Sequence, residues 1–507
     1  MAKIQISEGK WNNECTTQLN LTNAHAVDPN AGYDKVVMYA EKRHLMTFLT
    51  AGATNGQWTV ARTTEAYKTE IPSIPEGELI DGKAWKYRIM GRIQKASVIT
   101  GTAPIGVVTA GTSSTGGTFF IGLKDNMLYP GMNVVFYNGK MARIQGMPTG
   151  ITGNFVYKFQ CFPGETFDWA TWVGAQVGEK TCFGGYSTYG ERSLKGYGRS
   201  FFPDSFINHM TIQRKGAAIT GDVNAERVLW YVTTNKNGDT GKGWLYWIEA
   251  QARAQFLLED EFQKWWGKST MKDSYGNLLA EPSMIDEETG MPLVAGDSLI
   301  EQIKGANDAE CSGSDGNAVW DDFADMGSSL KKKSNNDGGA LYYVITGTDG
   351  MQNAQKEMGK YARDFQNLTF NINDSNSGKV GGPDVSVGLN FNKMNINGDQ
   401  YIFVVNPMMD DEKKFPRRLR NGKLAMGSTY YFIDASKDET GRRNIEMRTR
   451  GRESVNRNLV YFYNNGMTGD GAAMHSIDGK EFQMLKENML VCYNSKSCGI
   501  LSPSPTA

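Results

Sequence analysis

Few residues of this 507-residue chain have the types and spacing that catalysis or ligand binding requires. The tetrapeptide GKST at 267–270 is similar to the end of a phosphate-binding loop. However, Phe262 stands where that loop needs its first glycine, and the segment follows a predicted helix instead of opening one. No GxSxG elbow occurs, and Asp374 and Asn376 lack the surroundings of a calcium loop. Local motifs therefore indicate no known catalytic apparatus.

The histidines and cysteines are scattered along the chain. Neither an HxxxH nor an HxH ligand pair occurs, so we expect no zinc site. No CxxC pair occurs either, and six cysteines are too few for a disulfide framework in so long a chain. We therefore predict reduced, mostly buried thiols, with no metal and no cofactor. The positions concerned are His25, His44, His209 and His475, and Cys15, Cys161, Cys182, Cys311, Cys492 and Cys498.

Paired carboxylates need no local motif, because two acids from distant positions suffice for glycoside hydrolysis. The chain has 55 acidic residues, but such residues mostly solvate a protein surface. A secreted carbohydrate-active enzyme would hold two carboxylates roughly 5 to 10 Å apart in a cleft lined by aromatic residues. This alternative stays open, although we favour a protein that is not an enzyme.

The composition is that of a folded protein with no global charge. Lys and Arg number 54 against 55 Asp and Glu, so no overall field would attract nucleic acid or an anionic membrane. The length exceeds the roughly 250 to 300 residues at which single cores stop growing, which predicts two or more domains. Residues 1–14 lack the apolar core of a signal peptide, and no apolar stretch of about 18 residues occurs. We expect neither export by that route nor a membrane span.

The first part of the chain reads as a polar arm. Residues 33–50 have apolar positions at mixed helical spacing, which predicts one short helix. Pro72 and Pro75 favour an extended connection, because proline removes a backbone donor and disfavours helix in the residue before it. We therefore predict that residues 1–84 form an arm with a short helix and a linker.

Residues 85–165 change to short β-rich runs punctuated by glycine, which predicts a small all-β module. Its clearest unit is a hairpin around Asn138 and Gly139, for which we predict a type I′ turn because both residue types tolerate a positive φ. Residues 166–242 are rich in glycine and aromatic residues, and they read as an extended loop and hairpin region.

The strongest helix signal runs from Trp244 to Trp266, with one broad apolar face. At 1.5 Å per residue such a helix reaches roughly 35 Å. An α/β pattern follows it, in which Asp349 is a predicted N-cap, with Gln352 three residues later, for a helix over 350–365. The runs LYYVITG, YIFVVN and TYYFID read as its strands.

Two later segments carry opposite charge. Residues 281–326 hold twelve acidic residues and one lysine, whereas residues 413–457 hold thirteen basic and five acidic residues. Solvated loops explain such runs without any partner. Alternatively, opposite patches on copies of one chain pair head to tail, or the arginines contact the phosphates of packaged DNA. The candidate acidic residues are Asp286, Glu287, Glu288, Asp321, Asp322 and Asp325, and the candidate basic residues are Lys413, Lys414, Arg417, Arg418, Arg420, Arg448, Arg450 and Arg452.

Two stretches resemble the major capsid proteins of crAss-like phages. They are FPRRLRNGKLAMGSTYYFID at 415–434 and DGKEFQMLKENMLVCYNSKSCGIL at 478–501. The order of predicted parts is also similar to the HK97-type capsid fold, an α+β fold with an N-terminal arm, extended loop, long spine helix and α/β axial domain. The resemblance implies a spine helix of the peripheral domain over 243–270, an axial domain over 271–440, and a return to the peripheral domain over 441–507. The β module at 85–165 departs from the minimal family pattern and would be an insertion.

The resemblance further implies a subunit that self-assembles into hexamers and pentamers of an icosahedral phage head around double-stranded DNA. The implied partners are copies of itself, the portal, auxiliary capsid and head-fibre proteins, and packaged DNA through non-specific contacts, with no membrane. The protein would belong to the virion and assemble in the bacterial cytoplasm. A tail or head-fibre protein is the second reading, but the chain shows neither an internal period nor sustained heptads.

Overall fold

The computed structural model describes most of the chain after residue 75. The described residues are 76–89, 96–100, 106–109, 117–151, 154–173, 181–193, 196–198, 200, 202–221, 231–233, 240–242, 244–273, 276–333, 339–364, 393–419, 421–436, 443–452, 455–467 and 473–504. The helix predicted within 33–50 and the candidate residue Arg420 lie outside them.

The described chain forms two units, residues 88–206 and residues 1–87 with 207–507. The unit at 88–206 is built from strands and one short helix, α1 (Trp169–Trp172). Its strands are β3 (Ala96–Val98), β4 (Gly106–Thr109), β5 (Thr118–Leu123), β6 (Met132–Phe136), β7 (Met141–Ile144), β8 (Thr149–Ile151), β9 (Asn154–Cys161) and β10 (Thr181–Ser187).

The eight strands of this unit form one sheet that closes on itself. Their order is β3-β10-β6-β7-β9-β5-β4, with β8 paired to β9. At one end β3 also bonds to β5, because the Lys124 amide donates to the Val98 carbonyl at 2.9 Å and Ile99 bridges Leu123. Apolar side chains of alternate strand positions therefore fill a closed interior, in which Phe119 stacks on Phe159 with ring centroids 5.4 Å apart.

The sheet extends past the predicted end of the β module at residue 165. Strand β10 pairs with both β3 and β6, so a glycine-containing segment that reads as extended loop is a central strand. Gly184 suits this place, because a Cβ there would lie 2.4 Å from the Met132 sulfur. The strand β2 (Ala84–Ile89), at the predicted start of the module, pairs instead with β11 (Asp204–His209) in a separate two-stranded sheet.

The predicted hairpin between β6 and β7 forms, but the prediction of a type I′ turn is wrong. Gly139 has a φ of +82°, whereas Asn138 is absent from the described non-glycine residues with positive φ. The Gly139 amide donates to the Phe136 carbonyl at 2.9 Å, and the Phe136 amide donates to the Lys140 carbonyl at 2.8 Å. A three-residue loop closed by a left-handed glycine needs one positive φ instead of two.

The second unit contains two large sheets and four helices in its described residues. The helices are α2 (Trp244–Trp266), α3 (Leu299–Ile303), α4 (Trp320–Lys333) and α5 (Thr348–Asp364), with 3-10 helices at Pro407–Asp410, Met426–Ser428 and Ser495–Ser497. The strands are β1 (Glu76–Ile80), β12 (Thr211–Thr220), β13 (Tyr231–Thr233), β14 (Thr240–Lys242), β15 (Asp308–Glu310), β16 (Leu341–Thr346), β17 (Lys393–Ile396), β18 (Asp399–Val405), β19 (Tyr430–Asp434), β20 (Ile445–Arg452), β21 (Val455–Asn456), β22 (Val460–Asn465), β23 (Gly479–Cys492) and β24 (Gly499–Ser502).

The helix predicted from Trp244 to Trp266 forms with those bounds as α2. It packs on a sheet of order β1-β20-β23-β12, with β21 attached to β20 and β22 attached to β23. Ala252 and Phe256 of α2 lie against Phe482 and Met484 of β23. The apolar face of the helix is therefore core, as its spacing indicates.

The other sheet is mixed and has the order β15-β24-β19-β16-β18-β17. It confirms the three strands predicted for the α/β pattern, which are β16, β18 and β19. Alternate residues of β16 pack into two different hydrophobic cores. Tyr343 and Ile345 pack toward α3 and Trp265. Tyr342 and Val344 pack toward α4 and α5 on the other face. This sheet is therefore covered by helices on both faces.

The prediction that Asp349 is the N-cap of α5 is wrong. The helix begins at Thr348, so Asp349 lies inside its first turn. The Asp410 carboxylate, 62 residues away, accepts the Thr348 amide at 2.9 Å and 3.0 Å. A distant carboxylate thus satisfies the first amide of this helix, which a local sequence pattern does not reveal.

No helix in the described residues is both long and apolar enough to cross a bilayer. The described residues also contain no group of three or more His, Cys, Asp or Glu side chains arranged to hold a metal ion. The five described cysteines are buried and free of disulfides.

Candidate interaction surfaces

The strand part of the basic stretch is largely occupied inside its own unit. Arg448 of β20 is 2% exposed, and its Nη2 lies 2.8 Å from Glu446 Oε2 and 2.9 Å from the Tyr493 hydroxyl. Its guanidinium also lies 4.8 Å from the ring centre of Trp85. A buried, neutralised and stacked arginine is part of the core and presents no charge to a partner.

Arg450 and Arg457 share one acceptor. Arg450 Nη1 lies 2.7 Å from Glu487 Oε1, and Arg457 Nε lies 2.6 Å from Glu487 Oε2. The Glu487 side chain is fully buried, so both arginines point their charge inward. Arg452, at the end of β20, is the exposed member of this part of the stretch.

The exposed basic residues are concentrated in the loop 411–424, which we call the basic loop. The Leu419 amide donates to the Lys423 carbonyl and the Ala425 amide donates to the Arg417 carbonyl, both at 2.9 Å, so the loop is a defined turn. Gly422 closes it with a φ of +80°. The exposed candidates here are Lys413, Lys414, Arg417 and Arg418.

Two of these cations have a partner within the same loop. Lys414 Nζ lies 3.4 Å from Asp411, and Arg418 Nη2 lies 2.7 Å from Glu412 Oε2. Both pairs are partly exposed, so water screens them and their attraction is weak. An exposed ion pair of this kind is worth about 0 to 1 kcal/mol. Arg418 Nη1 also donates to the Gly422 carbonyl at 2.8 Å, so the arginine side chain is held against its own loop.

Aromatic packing anchors the basic loop to the end of α2. The Phe415 ring lies 6.3 Å from that of Phe262 and 5.1 Å from that of Trp266, measured between centroids. Lys414 Nζ also lies 5.9 Å from the Phe262 ring centre. The loop is thus a charged surface on a rigid support.

The acidic stretch divides into two separate groups. The first is the hairpin 284–293, which we call the acidic hairpin, where the Leu293 amide donates to the Met284 carbonyl at 2.9 Å. Asp286 holds its tip together, because its carboxylate accepts the Thr289 hydroxyl at 2.7 Å. Glu287 and Glu288 at the tip are exposed.

The second group lies at the start of α4. Asp322 is half-buried and accepts the amides of Ser312 at 3.0 Å and Val319 at 2.9 Å, so it has a structural role at the helix start. Asp321 and Asp325 are exposed on the same helix. The sequence does not distinguish Asp322 from these two neighbours, because its partners come from the preceding loop.

The structure contains a buried charge cluster that the sequence does not predict. Asp260 of α2 lies between Lys264, whose Nζ is 3.4 Å from Oδ1, and Lys486 of β23, which contacts Oδ2. Burial lowers the pKa of Lys264 to about 8, although Asp260 acts in the opposite direction. For Asp260, burial favours a higher pKa, but the two lysines outweigh it and hold the pKa below its ordinary value. The spacing of Asp260 and Lys264 is helical, but nothing local indicates burial.

One cavity of about 370 Å³ lies in the unit at 88–206. Its described lining includes Arg143, Gln145, Tyr189 and Tyr197, and it contains no carboxylate. This cavity therefore does not supply the paired acids that glycoside hydrolysis needs.

Comparisons with known proteins place the chain among viral structural proteins. The sequence model of one family, the Crassvirus major capsid protein, matches residues 1–505. A search of curated proteins finds no match. Among solved structures, the capsid of Myoviridae phage XM1 is 8% identical with a TM-score of 0.33, over 63% of this chain and 82% of that one. The capsid of cyanophage P-SCSP1u is 7% identical with a TM-score of 0.33, over 63% and 80%.

Proposed function

The chain belongs to the Crassvirus major capsid protein family, and from that premise we propose that its copies form the hexamers and pentamers of an icosahedral head around double-stranded DNA. The match over residues 1–505 carries the proposal, because it spans almost the whole chain. As a major capsid protein the chain has a structural role in a virion. We further propose that it has no catalytic activity and that it assembles in the bacterial cytoplasm with portal, auxiliary and head-fibre proteins.

The fold would then be of the HK97 type. In this proposal α2 is the spine helix of a peripheral domain whose sheet contains β12, β20 and β23. The mixed sheet with α4 and α5 is the axial domain, and the closed β unit is an insertion. The packing of α2 along β12 and β23 supports its role as a spine.

Contacts between copies would join the acidic hairpin of one subunit to the basic loop of the next. Three features support these two surfaces: their charges are opposite, they are exposed, and the strand arginines Arg448 and Arg450 already have partners. The acidic hairpin also exposes Met284, Ile285 and Met291, which adds apolar area to the charge. Head-to-tail contacts between different surfaces produce closed rings when the rotation closes.

Packaged DNA is the second candidate partner of the basic loop. Its cations would contact phosphates without reading sequence, since the loop presents charge and no groove-reading element. A tail or head-fibre protein is the alternative function, and it would give low copy number in the virion.

Charge exchange tests the intersubunit contact. Replacing Arg417, Arg418 and Arg420 with glutamate is expected to abolish particles seen by electron microscopy while leaving the unfolding midpoint of the unassembled subunit nearly unchanged. Replacing Glu287 and Glu288 with lysine in the same chain is expected to restore particles, because both surfaces then carry reversed charge. The Glu287 and Glu288 replacements alone are the matched control.

The outcomes separate the candidate partners. Normal particles from the arginine variant would contradict the intersubunit contact. Normal shells that fail to retain DNA would favour the phosphate contact instead. A wild-type chain found at a few copies per virion would contradict the capsid proposal itself.

A further inference from the structure

The cavity in the unit at 88–206 lies against the outer face of the closed sheet. Arg143 and Gln145 of β7 line this cavity, whose volume is about 370 Å³. Their neighbours Ala142 and Ile144 are buried in the core of the unit, so the alternate positions of β7 point outward. The volume is near the lower end of the range for small-molecule sites, about 300 to 1,000 Å³, so the cavity suits a small ligand.

The loop after β10 supplies Tyr189 and Tyr197 to the lining of the cavity. The Tyr189 hydroxyl donates to the Pro130 carbonyl at 3.2 Å and accepts the Tyr197 amide at 2.9 Å. The Thr188 amide also donates to the Gly131 carbonyl at 3.0 Å. These bonds fasten the loop to the segment that leads into β6, so the cavity is preformed, as small-molecule sites usually are.

Arg143 brings a positive charge that no acidic residue of the described lining neutralises. Its Nη2 donates to the Thr188 carbonyl at 2.8 Å, which uses one of the five N–H groups of the guanidinium. Its Nε is buried and has no hydrogen-bond partner in the described part of the chain. By contrast, Arg448, Arg450 and Arg457 each contact a glutamate of their own unit. A charged donor without an acceptor is costly, so the cavity favours an anion beside Arg143.

The segment that follows β10 carries charge of the same sign. Residues 189–200 contain Arg192, Lys195 and Arg199 against one acid, Glu191. Although the whole chain is almost neutral, this segment is therefore basic. A locally positive surface raises the concentration of anions near it.

The other lining residues distinguish between kinds of anion. Tyr189 and Tyr197 contribute aromatic rings, whereas Gln145 and Ser193 contribute an amide and a hydroxyl. Aromatic rings provide an apolar surface for the C–H groups of a sugar, and amides and hydroxyls bind its hydroxyl groups. Arginine is a preferred partner of carboxylates. Inorganic phosphate would contact the arginine but would leave the rings uncovered.

We propose that this cavity binds a sugar acid with a single pyranose ring, whose carboxylate contacts Arg143 and whose ring packs against Tyr189 and Tyr197. The inference goes beyond the proposed capsid role and does not rest on it. A free sugar acid and one unit of an acidic polysaccharide present the same chemistry to the cavity, so the experiment has to distinguish these two sources.

Saturation-transfer NMR of the full-length protein tests this site, because the method detects weak binding of small ligands to subunits and to particles. Sodium galacturonate is expected to give a saturable signal, whereas galactose, which has no carboxylate, is expected to give little. Inorganic phosphate is expected to displace galacturonate only at a concentration about tenfold higher or more, since it makes no contact with the rings. No saturable signal from galacturonate, or its displacement by phosphate at equal concentration, would overturn the proposal.

Two variants test which residues form the site. Arg143→Gln is expected to weaken galacturonate binding by about tenfold or more, because it removes a charge-assisted hydrogen bond. Arg88→Gln is the matched control, since Arg88 is exposed and lies outside the cavity, and it is expected to bind as the wild type does. Ser193→Phe, at an exposed position of the lining, is expected to obstruct the cavity while the charge of Arg143 stays in place.

The unfolding midpoint of each variant shows whether its fold is intact. If Arg143→Gln lowers that midpoint, Ser193→Phe still provides the test. Wild-type binding by either variant with a wild-type unfolding midpoint would overturn the assignment of the site.

Polygalacturonate distinguishes the two sources of the ligand. Displacement of galacturonate by this polymer, at an equal concentration of sugar units, would support the proposal with a polysaccharide as the source. A polymer that fails to displace bound galacturonate would support the proposal with the free sugar acid as the source. Particle formation is measured separately by electron microscopy, so a failure to bind galacturonate leaves the proposed capsid function standing.

Discussion

Asp260 of helix α2 and Lys486 of strand β23 form an ion pair whose side chains are 0% and 1% exposed. Lys264 is the third member, on the same helix and equally buried. The pair joins the long helix to the central strand of its sheet at a distance of 226 residues in sequence. Any change that removes the shared carboxylate leaves two cations buried without a counter-charge between them.

Asp260→Asn is therefore expected to lower the free energy of unfolding of the unassembled subunit by about 3 to 5 kcal/mol, the usual cost of breaking a buried ion pair. Glu259→Gln is the matched control, because its pair with Lys215 is exposed and is worth about 1 kcal/mol or less. Urea unfolding followed by circular dichroism measures both. A loss for Asp260→Asn no greater than for Glu259→Gln would contradict the role of the cluster.

The start of helix α5 provides a second comparison. Asp410 accepts the Thr348 amide and hydroxyl, whereas Asp349 accepts the Leu424 amide at 3.4 Å and faces Lys423 at 3.9 Å. Asp410→Ala is expected to cost about 1 to 2 kcal/mol of unfolding free energy, as loss of a helix cap does. Asp349→Ala is expected to cost less. The reverse order in thermal unfolding would favour the N-cap that the local sequence indicates.

His209, at the end of β11, makes stability depend on pH. Its burial lowers the pKa, and Lys272 acts in the same direction, while Asp297 opposes both. The unfolded chain then binds a proton near pH 6.5 that the folded chain takes up only at lower pH. This contribution to stability is complete above about pH 6.5 and decreases as the pH falls.

The measurement is the free energy of unfolding between pH 5 and 7.5 for the wild type and for His209→Gln. The wild type is expected to lose more stability toward low pH than the variant, by at most about 1.4 kcal/mol for each pH unit. Parallel curves for the wild type and His209→Gln would show that His209 is not the group responsible.

The sequence predicts the elements of this fold better than their contacts. The apolar spacing of α2 and the β-branched and aromatic runs of β16, β18 and β19 are local properties, and these elements form as expected. Strand β10 was missed because its glycines indicate a loop, whereas one of them, Gly184, packs closely against the Met132 side chain within the sheet. Whether this segment forms a strand depends on its pairing with β6, which lies about 50 residues earlier in the chain.

The candidate basic residues show the same limit. Thirteen cations in one stretch predict a charged surface, yet Arg448 is buried against Trp85 and Arg450 binds Glu487. Trp85 and Glu487 lie on distant strands, so the charge count alone overestimates the charge that a neighbour meets. The exposed part is the turn that carries Arg417 and Arg418, whose glycine and proline are visible in the sequence.

Two glycines of the closed β unit separate backbone strain from packing. Gly131 and Gly139 have nearly equal φ values of +84° and +82°. A Cβ at Gly139 would meet nothing within 4 Å, whereas one at Gly131 would lie 2.7 Å from the ring of Tyr189. That ring is held in place, because its hydroxyl donates to the Pro130 carbonyl at 3.2 Å and accepts the Tyr197 amide at 2.9 Å.

Gly139→Ala is therefore expected to cost about 1 to 2 kcal/mol of unfolding free energy, the price of a left-handed conformation for a residue with a Cβ. Gly131→Ala is expected to have the same cost in unfolding free energy. The clash with the Tyr189 ring is expected to add about 1 to 3 kcal/mol. Adding Tyr189→Ala to each variant tests the cause, because the excess at Gly131 should disappear once the ring is gone. An excess that persists without Tyr189 would assign the difference to the backbone, and equal losses for the two single variants would show that the ring moves aside freely.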